Sequence, residues 1–517
     1  MHLAHLLHRS ALRYPGRPLW LGADVNINYG DGVRRINKIS NALLGMGRQR
    51  DRVVIVSTNR FEAFEAYLAA LNAGMTATPL SPKLHASELS LMIADSGARF
   101  VIFSPEYIEA ISSVRGQLPT VEQWVCMEDA PGFVAYRNLL EGSTDSRPDL
   151  LIEPDDVAWL FYTSGTTGKP KGVMETHRNL LAMIQHLRLG VFTDADETDV
   201  VMHFAPIAHA TASVGLAHLS VGAAQCFPLT SNFNPEKALE AIERFGVSAA
   251  FLAPTMVQML LQCPSVANYN VKSLKNVLCA GGPMYVEVLR KAIQVFGPVF
   301  CQNYGQSEAP ALVGVHKSEY DPHDPAKSSR LGSVGREYPG VMLRLVDSEG
   351  REVGRNVPGE ITVRSDVVMP GYWNRPEATA EALKDGWLHT GDVGYLDDEG
   401  YLFLTDRVKD LIISGGSNIY PREVEEVLLQ HEAINEACVI GVPDQTWGES
   451  VKAVVVLKAG ADAPTADALI EFCRSRLASY KKPKSVDFVE ALPKNAYGKV
   501  LKRELKLAYW QDAVRQN

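Results

Sequence analysis

Residues 162 to 172 read Tyr-Thr-Ser-Gly-Thr-Thr-Gly-Lys-Pro-Lys-Gly. Gly165, Gly168 and Gly172 let a backbone approach a ligand closely. The hydroxyls of Thr163, Ser164, Thr166 and Thr167 and the ammonium groups of Lys169 and Lys171 are donors to anionic oxygens. The segment follows a short apolar run, residues 157–162, that reads as a buried strand. A strand feeding a loop of this make-up is suited to holding phosphate. It is not a Walker A loop, because Pro170 follows Gly168-Lys169 where that motif carries Ser or Thr.

Three more clusters hold groups suited to a nucleotide, a cation and a developing negative charge. Asn303-Tyr304-Gly305-Gln306-Ser307-Glu308 brings together a ring that can stack on a base and a hydroxyl–carboxylate pair that can meet phosphate and a hard cation. Alone, the hexapeptide reads equally as a turn with a solvated Glu. Asp392 closes Gly386-Trp387-Leu388-His389-Thr390-Gly391-Asp392, just after a tight turn, and can accept both hydroxyls of a ribose. Alone, it reads as an Asx turn. Lys499 follows Gly498 near the C-terminus. A lysine on a glycine-hinged loop can enter a cleft and offset the charge that builds when a carboxylate attacks a phosphate. A lone lysine in such a loop is more often solvated.

These groups need a frame. The chain has 517 residues, enough for two to four domains or subdomains. Hydrophobic residues make up 46% and charged residues 21%, as in ordinary globular proteins. The net charge of -9 argues against a nucleic-acid-coating surface. No apolar run approaches the roughly 18 residues needed to span a bilayer. Residues 1–14 lack the pattern of a signal peptide. They read as a surface helix with His2, His5 and His8 on a solvated face. Seven cysteines, at 126, 226, 263, 279, 301, 438 and 473, offer no metal or redox spacing and suit reduced thiols in the cytoplasm.

The early chain alternates strand and helix: strand 53–57, Asn59 as a cap, helix 61–72, helix 88–96 and strand 99–103. The pattern returns as helix 233–245, strand 249–252 and helix 255–262. Such repeats indicate an open α/β sheet. Residues 331–405 change to short strands, 342–346 and 360–364, between Gly and Pro turns, which predicts a small, mostly antiparallel subdomain. Beyond Asp406 the pattern is mixed again: helix 422–429, strands 439–441 and 451–457, helix 466–477.

Taken in order over residues 29 to 505, these segments resemble the adenylate-forming superfamily of acyl-CoA synthetases, amino-acid-activating domains and beetle-type luciferases. The likeness is strongest to bacterial fatty-acyl-CoA synthetases. The resemblance implies an α/β fold: a large N-terminal domain (1–408) of α/β sheets plus a small β-barrel-like subdomain, then a small mobile α+β C-terminal domain (409–517) hinged at Lys409. It implies ATP, CoA and Mg2+ as cofactors and a small carboxylic acid as substrate, in a cytoplasmic enzyme without nucleic-acid partners. A homodimer and peripheral membrane contact stay open.

Site roles follow the same resemblance. Residues 163 to 169 with Lys171 hold phosphate. Gly281-Gly282-Pro283, Asn303, Tyr304 and Gly305 border adenine. Ser307 touches the α-phosphate, Glu308 holds Mg2+, and Asp392 with Arg407 binds ribose. Lys499 is the catalytic lysine. Ser414-Gly415-Gly416 resembles the hairpin that lines the pantetheine tunnel, and reads equally as a simple turn. Trp447 resembles a position near the CoA nucleotide, or else covers the small domain's core.

The acyl pocket draws its walls from residues 203–215, 280–282 and 303–312. Pro206-Ile207-Ala208-His209 resembles the family's gate segment, with Ala208 in place of an aromatic. His209 stands where amino-acid-activating domains carry an ammonium-binding Asp, so an α-amino acid is disfavoured. It also reads as a core histidine. Ala210, Ala212, Ser213 and Gly215 leave room for a chain or ring, which predicts a medium- or long-chain fatty acid. The alternatives are an aryl acid, a carrier-protein thiol as acceptor, a luciferase-like oxygenase and a nucleotide-binding remnant without turnover.

Overall fold

A computed structural model describes residues 2–163, 170–407, 410–414, 417–444, 446–494 and 500–515, with backbone alone for 325–326, 406–407 and 511–515. Among the described residues, four sheets organise the chain. A seven-stranded sheet is built around Arg52–Val56, Thr76–Leu80 and Phe100–Phe103, all parallel. These strands are apolar on both faces because helices cover both. Helix Phe61–Asn72 sends Phe64 and Tyr67 into one core, and helix Ala86–Ser96 sends Leu89 and Ile93 into the other. The antiparallel pair Val157–Thr163 and Lys171–Thr176 closes one edge.

A nine-stranded sheet runs from Arg336–Glu337 at one edge to Asn26–Asn28 at the other. Its middle strands, Ala249–Leu252, Asn276–Cys279 and Phe300–Gln306, are parallel, and Ala309–Val315 turns back antiparallel beside the last of them. Next comes a five-stranded antiparallel sheet of Met342–Val346, Gly359–Arg364, Trp387–Leu396, Leu383–Lys384 and Leu402–Arg407. This is the smaller subdomain expected from its turn-rich sequence. The small C-terminal domain is α+β. Its core of Ile412, Ile419, Val439 and Val455 is covered by Val424 and Leu428 of helix Pro421–Leu428 and by Leu469 and Cys473 of helix Ala466–Arg474.

Three local expectations change. Asn59 does not cap helix Phe61–Asn72, whose N-cap is Arg60. Its amide instead donates to the carbonyls of His203 and Ala205, both at 2.6 Å, and accepts from Ile207 N at 3.0 Å. A distant loop claims the side chain that local propensity gave to the helix. Asp392 lies inside strand Trp387–Leu396, not in a loop, although Gly391 before it takes φ +68°. The N-terminal helix Ala4–Arg13 buries Leu6 and Leu7 as expected, but only His5 is fully on its solvated face. His8 is buried, with Nε2 at 3.0 Å from Asn72 Oδ1. All seven cysteines are buried. Among the described residues, no helix is long and apolar enough to cross a membrane.

Candidate active site

The segment expected to hold phosphate is flanked by the antiparallel strands Val157–Thr163 and Lys171–Thr176. Thr163 pairs with Lys171 as the last described step of the antiparallel ladder. Ser164, Gly165, Thr166, Thr167, Gly168 and Lys169 lie outside the described residues. Lys171 Nζ lies 5.0 Å from the centroid of the Tyr372 ring, and the Tyr372 hydroxyl donates to Glu308 Oε1 at 2.6 Å. The loop carrying Tyr372 is stitched to strand Lys171–Thr176 from both sides: Trp373 N donates to Gly172 O at 2.7 Å and Met174 N to Gly371 O at 3.1 Å. Met369 N reaches Glu308 O at 2.9 Å.

The second cluster folds as one end of a strand pair. Phe300–Gln306 runs up to the Ser307-Glu308 turn and Ala309–Val315 returns. Gly305 is required here by crowding, since a Cβ would fall 2.5 Å from Pro310 O. Asn303 Nδ2 donates to Pro310 O at 3.0 Å, and Asn303 Oδ1 accepts from Tyr338 at 3.1 Å. Tyr304 is buried, and its hydroxyl donates to Asp392 Oδ2 at 2.9 Å. Gln306 Nε2 donates to the same oxygen and to Thr390 O, both at 2.7 Å. Two residues of one strand thus converge on a carboxylate oxygen 88 and 86 residues further along the chain. Arg407 stands opposite Asp392 in the ladder by its backbone. Gly281, with φ +84°, Gly282 and Pro283 form an exposed turn just beyond strand Asn276–Cys279, the sheet neighbour of Phe300–Gln306.

Along the acyl wall, His209 N donates to Pro206 O at 3.0 Å, and its ring meets Phe161 edge-on at 5.3 Å. The residue as a whole is half-buried, and burial of the imidazole lowers its pKa to about 4. It is therefore neutral near pH 7. Gly215 does not open the space expected of it. A Cβ there would fall 2.7 Å from His203 Cε1 and 2.8 Å from Gln225 Oε1. His203 Nε2 and Gln225 Oε1 are 2.9 Å apart, and His203 Nδ1 is 3.3 Å from Thr211 Oγ1. A buried polar cluster fills that end.

In the small domain, Ile412–Ser414 and Ser417–Ile419 pair antiparallel, with Ser414 opposite Ser417. Gly415, Gly416, Lys409 and residues 495–499, Lys499 among them, lie outside the described residues. Lys494 and Val500 form an isolated antiparallel bridge. Trp447 is 50% exposed, so it does not serve as core cover. Lys484 Nζ lies 5.2 Å over its ring, and Lys484 also pairs with Asp444 at 3.2 Å. Ser414 pairs with Gly448, next to Trp447. The small domain meets the large one near the 281–283 turn: Tyr285 donates to Glu425 Oε2 at 3.2 Å, and Val286 N to Glu426 Oε2 at 3.4 Å.

Comparison with known proteins agrees with this geometry. The AMP-binding enzyme family matches residues 7–373, and the AMP-binding enzyme C-terminal domain matches residues 423–499. The chain belongs to the AMP-binding enzymes, the adenylate-forming superfamily. A feruloyl-CoA synthase from Amycolatopsis sp is 37% identical over 96% of each chain. A long-chain-fatty-acid–CoA ligase from Bacillus subtilis is 34% identical over 97% of this chain and 94% of its own. The structure of an anthranilate CoA ligase in complex with anthranoyl-AMP matches with a TM-score of 0.90 at 25% identity, over 99% of this chain and 98% of the other. By class this AMP-binding enzyme is an AMP-forming acid–thiol ligase.

Within this enzyme, sequence reasoning missed Gln306, Tyr372 and Lys484. Gln306 lies inside the hexapeptide 303–308, but nothing in its residue type points to the Asp392 carboxylate. Tyr372 and Lys484 carry no local signal, because their partners are far away in sequence. Glu175 was missed as well. It lies on strand Lys171–Thr176, only 2% exposed, and neither carboxyl oxygen has a hydrogen-bond partner among the described residues. Burial, then the Glu308 charge, holds its pKa well above the ordinary carboxylate range.

Proposed function

We propose that this enzyme joins a compact aromatic acid, of the benzoate or cinnamate type, to CoA through an acyl-adenylate. The filled space at Gly215 carries this reading. His203, Gln225 and Phe64 crowd Gly215, within 3.1 Å of where a Cβ would stand, and a corner filled in this way suits a ring better than a long chain. Asn59 also ties residues 203–207 down, which opposes widening. A feruloyl-CoA synthase among the relatives and an anthranilate CoA ligase among the similar structures support an aromatic acid. The long-chain relative favours a second reading, a medium- or long-chain fatty acid.

The reaction has two halves. A carboxylate oxygen attacks the α-phosphorus of ATP, and the bond from that phosphorus to the bridging oxygen breaks, releasing pyrophosphate. Both reactants are anionic, so the protein's work is positioning and charge compensation. Residues 163 to 169 with Lys171 hold the phosphates, Ser307 the α-phosphate, and Lys499 offsets the charge on the reacting oxygens. Tyr304 packs on adenine beside the Gly281-Gly282-Pro283 turn, and Asp392, aided by Arg407, takes the ribose hydroxyls.

The residues fit a hard divalent cation. Glu308 Oε1 is held by Tyr372, and Oε2 accepts no hydrogen bond among the described residues, so one carboxylate oxygen remains to serve as a ligand. Bound there, Mg2+ supplies positive charge against the phosphate oxygens. His209, neutral near pH 7, shapes the acyl entrance without adding charge.

In the second half the CoA sulfur attacks the acyl carbonyl carbon. The bond to the phosphate oxygen breaks, AMP leaves and the thiol proton is released. The small domain, 409–517, turns about Lys409 so that Lys499 withdraws and the Ser414-Gly415-Gly416 hairpin arrives. Trp447 with Lys484 receives the CoA nucleotide.

The test is kcat/KM for ferulate, benzoate, octanoate, palmitate and alanine, with acid-dependent AMP formation followed with and without CoA. Ferulate or benzoate is expected to lead, with AMP formation dependent on CoA. Palmitate in the lead overturns the aromatic reading, and AMP turnover indifferent to CoA overturns the thiol.

A further inference from the structure

Glu308 stands in the two-residue turn between strands Phe300–Gln306 and Ala309–Val315. A carboxylate on such a turn rotates unless a neighbour holds it. Its backbone carbonyl is fixed by Met369 N at 2.9 Å. Its side chain is fixed by Tyr372, whose hydroxyl donates to Oε1 at 2.6 Å.

Tyr372 is itself held on several sides. Its N–H donates to Thr379 Oγ1 at 2.9 Å. Its backbone bridges antiparallel to Val173, on strand Lys171–Thr176. Its ring carries Lys171 Nζ at 5.0 Å from the centroid. Tyr372 therefore links strand Lys171–Thr176 to the Glu308 carboxylate. Glu175 does not share this work, since neither of its oxygens is hydrogen-bonded to any described residue.

We propose that Tyr372 is the positioning residue of the cation site. Its hydroxyl occupies Glu308 Oε1 and leaves Oε2 to the divalent cation that accompanies ATP. A short bond to an ionised acceptor is worth about twice a neutral one and fixes direction as well as distance. Without it the carboxylate samples other rotamers, and cation affinity falls while the chemistry at saturating cation survives. This rests on the reading of Glu308 given above.

The experiment compares wild type, Tyr372→Phe, Glu308→Gln and the double variant. One readout is the Mg2+ concentration giving half-maximal acid-dependent pyrophosphate release. The other needs no turnover: calorimetric ATP affinity in excess Mg2+ against that in a chelator. Tyr372→Phe keeps the ring over Lys171. It is expected to raise the Mg2+ half-saturation roughly tenfold or more, with kcat at saturating Mg2+ largely retained, and to weaken ATP binding only when Mg2+ is present. In the Glu308→Gln background the added Phe is expected to change little.

An unchanged Mg2+ half-saturation in Tyr372→Phe overturns the proposal. So does additivity of the two shifts, and so does a Tyr372→Phe protein that fails to fold by circular dichroism, which makes the tyrosine a structural residue. If Glu308→Gln itself leaves both readouts unchanged, the cation-site reading fails first. If Glu308→Gln shifts them and Tyr372→Phe does not, only the positioning role is lost.

Discussion

Asp392 gathers two donors on one oxygen, and this makes its replacement quantitative. Tyr304 and Gln306 reach Oδ2 at 2.9 and 2.7 Å, and the residue is 8% exposed. Asp392→Ala leaves both donors without that acceptor. Gln306 is half-buried and keeps Thr390 O, so the cost falls on the buried Tyr304 hydroxyl, and the Ala protein should lose about 1–3 kcal/mol of stability. Asp392→Asn keeps an acceptor oxygen but removes the charge. Bonds to a charged acceptor are roughly twice as strong as neutral ones. If two ribose hydroxyls bind this carboxylate, each loses about 1 kcal/mol, and roughly 2 kcal/mol in total is a rise of about 30-fold in the ATP dissociation constant. The loss applies equally to ground and transition states, so kcat at saturating ATP should hold. The assay is calorimetric binding of ATP and of 2′,3′-dideoxy-ATP to wild type and Asn variant. The dideoxy ligand lacks both hydroxyls and should be indifferent to the substitution. Binding of ATP within twofold of wild type refutes the ribose assignment, and so does equal weakening of the dideoxy ligand, which points instead to a collapsed Tyr304 pocket.

Other expectations follow from the buried titratable groups and from the role proposed for Lys499. Glu175 titrates above its unfolded value of 4.5, so its folded-state preference for the proton is fully present below that value and is lost as pH rises through the folded pKa. Glu175→Gln removes the penalty and should raise the melting temperature more at pH 8 than at pH 5; an equal gain at both contradicts it. For His209 the sign reverses, because its pKa falls from 6.5 to about 4. Stability is present above 6.5 and lost on acidification, by about 2 kcal/mol at pH 5. His209→Gln should therefore flatten the fall in melting temperature between pH 7.5 and 5, and an unchanged slope excludes this residue as a source. Lys499→Ala should lose roughly 10²–10³ in adenylation, yet still convert supplied acyl-AMP and CoA to thioester; equal losses in both halves give the lysine another role.

Sequence periodicity carried much of the frame, for reasons visible in the packing. Helix Phe61–Asn72 and strands Ala249–Leu252 and Met342–Val346 begin and end where their patterns predicted, because each is defined by neighbours within a few residues or by uniform burial. The motif segments were legible too, since each keeps its chemistry in contiguous residues. What sequence could not reveal is which segments share an atom. Nothing near Asn59 says that residues 144 to 148 positions away will take its amide from the helix. Nothing near Gly215 says that His203 and Gln225 will occupy the room a glycine usually leaves, and that filled corner moves the substrate reading from a long chain to a ring. The same limit applies at the reacting centre. A motif names Glu308 as a carboxylate, but which of its oxygens remains for a cation depends on a phenol 64 residues downstream. Residue type is therefore readable from the chain, whereas the direction in which a side chain presents its lone pairs is a tertiary property, and it is that direction on which the site's chemistry turns.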